Sequence, residues 1–135
     1  MQNEPKTDNF TVSELRCKCS KCKGEQPNKC NLTSLARLQR VRDRFYAEFD
    51  YGLSLSSAYR CLNHPEEQAK VKKYGPTYKG GRHVSGTAFD VKIGWGHPRQ
   101  RLVQIAMEEG FLGFGYANSF LHIDDGRTEL TSWGY

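Results

Sequence analysis

Two short stretches carry residue types that can do chemistry. "GRHVSGTAFDVKIG", residues 80–93, sets His83 and Asp90 seven positions apart. "SFLHIDDG", residues 119–126, sets His122 thirty-two positions beyond Asp90, with Asp124 two further on. Residues two apart in a strand share a face, so His122 and Asp124 point the same way and Ile123 points into the core. Two imidazoles and one carboxylate, His83, Asp90 and His122, form a three-ligand zinc set. Such a set leaves a fourth position open for water, as catalytic rather than closed structural sites do. Zinc held this way brings the pKa of bound water to about 7 and supplies hydroxide at neutral pH. Gly86 and Ala88 are small, which lets the backbone pass close to an ion or substrate. The same residues also fit a second description, hydrogen-bonded structural groups on half-buried strands. Which one holds turns on whether the two stretches meet.

A second group is sulfur. Cys17, Cys19, Cys22 and Cys30 fall within fourteen residues, and Cys61 follows Arg60. Five cysteines cannot all pair within one chain. Four thiolates in one loop can hold a structural zinc, and Cys17, Cys19, Cys22 and Cys30 are the candidate set. Disulfides, with one from this loop to Cys61, or free thiols are the alternatives.

The elements that position these groups can be read from periodicity. "TVSEL" opens a short helix with Thr11 or Ser13 as cap. From Leu32, the residues Leu35, Leu38, Val41, Phe45 and Phe49 recur at three- and four-residue steps. Arg37, Arg40, Arg42 and Arg44 fill the gaps, which predicts an amphipathic helix with a basic outer face turning at Gly52. "LSLSSAYR" alternates as a strand does. "HPEEQAKVKKYG" reads as a helix with Pro65 in its first turn and Glu66 and Glu67 at its positive end. "YGPTYKGGR" is a loop by composition. "TAFDVKIG" is a strand, and "HPRQRLVQIAMEEG" a helix opened by Pro98 and stopped by Gly110. "FGYA" and "FLHID" are strands joined at Asn118-Ser119. Helices among hairpin-like strands make an α+β fold.

The 135 residues suit one domain, 1–135, carrying a Cys-rich loop at 17–30. Mean hydropathy is −0.73, and no apolar run approaches the ~20 residues of a membrane helix. "MQNEPKTDNF" lacks the basic-then-apolar pattern of a leader, so synthesis in the cytoplasm without a signal peptide is expected. A net charge of +5 favours anionic surfaces. No stripe of stacking aromatics among Lys and Arg accompanies it, so no specific nucleic-acid partner is expected.

"SAYRC", "HVSGTAFD" and "FLHID" occur in the order and context of the zinc peptidases related to D-alanyl-D-alanine carboxypeptidases and L-alanyl-D-glutamate endopeptidases. The opening "NFTVSELRC" and closing "SWGY" resemble the flanks of phage and bacterial members, so the likeness runs nearly end to end. It implies the fold shared with the Hedgehog signalling domain, a small mostly antiparallel sheet flanked by helices. It implies one catalytic zinc on His83, Asp90 and His122. It implies a monomeric, phage endolysin-like enzyme that hydrolyses peptidoglycan stem peptides beside a D-amino acid. Such an enzyme would be held on anionic cell wall or outer membrane and act there after release. Arg60 would direct its fork at a substrate carboxylate or the oxyanion. Ser57 would hydrogen-bond substrate or cap its strand, and Ser85 would line the cleft or serve its turn. Many members carry an acid three residues before the last histidine, where this chain has Ser119. Asp124 takes its place, as general base or as the carboxylate that orients His122. Asp125 faces away. A non-catalytic zinc-binding or virion-associated structural module of the same fold is the alternative.

Overall fold

A computed structural model describes residues 4–75 and 77–135. Residues 1–3 of the segment read for a leader, and Pro76 of the loop "YGPTYKGGR", lie outside the described residues. In chain order the elements are α1 (Val12–Leu15), α2 (Leu32–Phe49), β1 (Leu55–Ser57), α3 (Pro65–Tyr74), β2 (Ala88–Lys92), α4 (His97–Glu108), β3 (Gly113–Tyr116), β4 (Phe120–Asp124) and β5 (Thr131–Gly134). Helices beside one five-stranded sheet make the fold α+β.

Each helix begins where local chemistry allows. The Thr11 hydroxyl accepts from the Glu14 amide at 3.1 Å, so Thr11 rather than Ser13 caps α1. The Asn31 side chain accepts from the Ser34 amide at 3.0 Å at the start of α2. α2 buries Leu35, Leu38, Val41 and Phe45, as its periodicity requires. Each such side chain contributes roughly 1.5–3 kcal/mol on burial. The turn after α2 is made by Asp50, left-handed at φ 63°, and not by Gly52. Its basic face is less free than the sequence suggests. Arg40 and Arg44 pair with Glu109 at 2.9 and 3.0 Å, and Arg37 lies 3.4 Å from Asp125.

The sheet order is β1-β2-β4-β3-β5. Three pairings are antiparallel, but β5 runs parallel to β3, so the sheet is mixed where a mostly antiparallel one was expected. β5 itself, built from the closing "TSWG", has no counterpart among the strands read from periodicity. "LSLSSAYR" contracts to Leu55–Ser57, with an irregularity in register between those two residues.

β2 and β4 are buried on both faces over Ala88–Val91 and Leu121–Asp124. Phe89, Val91, Leu121, Ile123 and Phe114 join the α2 and α4 side chains in the core. The other face carries the polar residues, and buried polar groups must find partners. Register supplies them: Ser57 pairs with Asp90, Asp90 with His122, His122 with Gly115, and Gly115 with Trp133. One row therefore crosses all five strands. Among the described residues no helix is long and apolar enough to cross a membrane.

Candidate metal centre

The two stretches meet. Asp90 and His122 are direct partners on neighbouring strands, and His83 is carried to them by the glycine-rich loop ahead of β2. His122 Nδ1 lies 3.0 Å and His83 Nε2 3.3 Å from the same Asp90 oxygen, Oδ1. One donor atom from each residue lies within 4.8 Å of the other two, and all three residues are buried.

The tautomers are set by the other nitrogens. His83 Nδ1 donates to the Ala58 carbonyl at 2.6 Å, which leaves Nε2 as the ligand atom. That Nε2 is buried and has no hydrogen-bond partner. His122 Nε2 donates to Asp124 Oδ2 at 2.8 Å, which leaves Nδ1 facing Asp90. An orphaned imidazole nitrogen, a second one aimed the same way and a shared carboxylate oxygen are the donor set of a divalent ion. The residues present fit zinc.

Charge follows the same geometry. Burial opposes ionisation of Asp90, but the neighbouring His122 and His83 imidazoles outweigh it and hold the carboxyl well below its usual range. Burial likewise disfavours charge on His122, and Asp124 and Asp90 overcome it and raise the imidazole. Asp124 is also lowered, against its own burial, by His122 and Arg127.

Arg60 is 7% exposed and its fork is engaged by protein groups. Nη2 reaches Asp90 Oδ2 at 3.1 Å, Nε reaches Ser57 Oγ at 3.0 Å, and Nη1 lies 3.2 Å from Glu66 Oε2. Ser57 thus supports Arg60. Ser85 is exposed and bonds within its own loop, to the Arg82 carbonyl and the Thr87 hydroxyl, both at 3.0 Å. It is not among the residues lining the cavity over the metal ligands. Ser119 is exposed in the β3–β4 turn, where its carbonyl accepts from Ile93 at 3.1 Å. Asp125 points away, towards Ser34 at 3.0 Å.

Gly86 also has a role other than expected. It has φ +77°, and a Cβ there would lie 2.3 Å from the Lys29 carbonyl oxygen. Its smallness lets the loop pack on residues 29–31, and the close approach is to chain, not to an ion.

Several site residues lie beyond those read from the sequence. Arg127 donates to both Asp124 oxygens, at 2.7 and 2.9 Å. Trp133 packs on His122 with ring centroids 5.1 Å apart. Gly113 and Gly115 leave the site face of β3 bare: a Cβ would meet Asp124 Oδ1 at 2.0 Å or the Trp133 indole at 2.7 Å. Alternate glycines in "GFGY" are the signal for such a close approach within a strand. A cavity of about 430 Å³ opens over the ligands, lined by Arg60, Glu66, Arg82, Arg127, Trp133 and Tyr135 among others.

The cysteines regroup. Cys61 joins Cys17, Cys19 and Cys22, and Cys30 does not belong, which corrects the four-residue set read from sequence proximity. Cys30 is buried elsewhere in the core, and burial pushes its thiol up to about 12.

The profile of the Peptidase M15 family matches residues 8–124. The chain belongs to the peptidase M15 family. No curated protein matches it. Peptidases of this family are zinc-dependent, so this M15 protein is a metallopeptidase, and its His, Asp and Cys clusters are groups suited to metal.

Proposed function

We propose that this M15 metallopeptidase hydrolyses peptidoglycan stem peptides next to a D-amino acid, in the manner of a phage endolysin. His83, Asp90 and His122 would hold the catalytic zinc through Nε2, Oδ1 and Nδ1. When bound there, zinc supplies Lewis-acid polarisation and a water acidic enough to ionise near neutral pH.

The observation that carries the substrate class is the cavity wall. Arg60, Lys70, Arg82 and Arg127 line it, against the two carboxylates Glu66 and Asp124. A cationic wall over the ligands suits a peptide rich in carboxylates, as stem peptides are. Arg60 keeps Asp90 oriented and presents the side of its fork near Glu66 to the cavity. Asp124 is fully buried, and its two oxygens take the His122 proton and the Arg127 fork. That saturation supports Asp124 as the orienter of His122 over Asp124 as general base. Glu66 lines the same cavity with its side chain 65% exposed and is held only by Arg60 Nη1, at 3.2 Å, which makes it the better-placed carboxylate to accept and return a proton.

In this reading the protein is a monomer made in the cytoplasm that meets the wall after release. Its +5 charge favours retention on anionic wall or outer membrane. The test is to digest purified peptidoglycan with and without chelator and identify the fragments by mass spectrometry. New amino termini beside D-residues, lost on chelation, would support the proposal. One observation favours a second reading: Ser119 stands where an acid is expected and Asp124 is already engaged. Zinc-loaded protein that leaves every wall preparation intact would point to a non-catalytic or virion-associated module instead.

A further inference from the structure

The cysteine cluster lies apart from the His83, Asp90 and His122 site and has the geometry of a closed one. Cys61 Sγ is 3.7 Å from Cys17 Sγ, 3.6 Å from Cys19 Sγ and 3.3 Å from Cys22 Sγ. All four sulfurs lie within 4.8 Å of one another, and none is in a disulfide. Zinc–sulfur bonds of about 2.3 Å in a tetrahedron put sulfurs roughly 3.8 Å apart. The cluster is close to that spacing on every measured edge.

The backbone is shaped to match. The Cys22 amide donates to Cys19 Sγ at 3.4 Å. The chain then turns back through Lys23 and Gly24, at φ 53° and 71°, with the Lys23 amide on the Cys19 carbonyl at 2.8 Å. An amide aimed at a sulfur supports a thiolate there. Cys17, Cys19 and Cys22 are buried, although the loop around them is rich in lysine. Lys18, Lys21, Lys23 and Lys29 complement the negative charge that four thiolates and one divalent ion would carry.

We propose that Cys17, Cys19, Cys22 and Cys61 bind a structural zinc ion that anchors the Cys-rich loop to the segment carrying Ala58 and Arg60. Four protein ligands leave no open position, so the site is structural. Loading deprotonates four thiols, forms four zinc–sulfur bonds and releases four protons to solvent, with no change of oxidation state. The consequence reaches the first site. Ala58 accepts from His83 Nδ1, the Arg60 amide donates to the His83 carbonyl at 3.2 Å, and Cys61 follows at once. Fixing Cys61 fixes the strand end that orients His83 and carries the Arg60 fork.

The test counts metal in protein offered zinc alone. Wild type should hold two zinc ions per chain, His83→Ala one and Cys22→Ser one. Cysteine variants can fail to fold, so cobalt(II) loading of His83→Ala, with every cysteine intact, is the second measurement. It should show intense near-ultraviolet thiolate-to-cobalt absorption and the visible bands of a tetrahedral ion. Cys17, Cys19, Cys22 and Cys61 should resist alkylation until chelator is added. His83→Ala without zinc and without that absorption would overturn the proposal, as would an intact mass showing these cysteines in disulfides.

Discussion

His122 Nε2 donates to Asp124 Oδ2 across 2.8 Å, two residues further along β4. The contact turns the other ring nitrogen towards Asp90 Oδ1, 3.0 Å away, and so decides which atom of His122 can meet a metal. A carboxylate that sets a ligand's tautomer is worth roughly 10- to 100-fold in metal affinity or activity. Asp124→Asn should therefore weaken zinc binding by that factor, measured by competition with a chromogenic chelator. Unchanged affinity with hydrolysis down ~100-fold would instead make Asp124 the base.

Glu66→Gln separates proton transfer from metal binding. Glu66 touches Arg60 and none of the three ligands, so zinc content should persist. Hydrolysis should fall ~100-fold or more. Wild-type activity in this variant would remove Glu66 from the chemistry.

Arg60→Lys tests the fork. One ammonium cannot reach Asp90, Ser57 and Glu66 together, because it lacks the planar spread of donors. Activity should drop roughly 10- to 100-fold while the fold, read by circular dichroism, is kept. Activity within twofold of wild type would reduce Arg60 to a packing residue.

Gly113→Ala puts a methyl 2.0 Å from Asp124 Oδ1, well inside van der Waals contact. The carboxylate and the Arg127 fork must move. Displacements of ~1 Å near a reacting centre cost on the order of 100-fold in rate. The expected result is a folded protein with that loss, checked by hydrolysis and thermal melting together. Wild-type activity in a folded variant would show that the Asp124–Arg127 pair can shift without consequence.

The Glu4 carboxylate accepts from Arg16 Nε and Nη2 at 3.0 and 2.7 Å, and from the Asn28 amide at 2.8 Å. The Arg16 fork, opposed by burial and helped by Asn28, holds its pKa at about 2, below the ordinary 4.5. A depressed carboxyl stabilises the fold fully above its unfolded pKa and loses that contribution as pH falls through the folded one. The window here is pH 4.5 down to about 2. Glu4→Gln should cost about 1 kcal/mol at pH 7, allowing for solvent screening, and the gap should close towards pH 2. Denaturant midpoints at both pH values decide it; an equal gap at both would make the contribution one of shape.

Local pattern carried much of this protein. The three- and four-residue steps from Leu32 define α2 because helix periodicity is a property of neighbouring residues. His122 and Asp124 share a face for the same reason, since strand alternation needs no partner. The resemblance carried by "HVSGTAFD" and "FLHID" led to the peptidase family, which the family profile then matched. Relations between distant residues were decided by the tertiary structure. Cys30 is near Cys22 in sequence, yet Cys61, thirty-nine residues from Cys22, is its neighbour in space. Arg40 and Arg44 look like a free basic face until α4 brings Glu109 against them. The parallel strand β5 has too little alternation of its own and exists by pairing with β3, where Gly115 leaves room for Trp133. Sheet register joins residues far apart in the chain, and loop closure brings them together without leaving a periodic trace in the sequence.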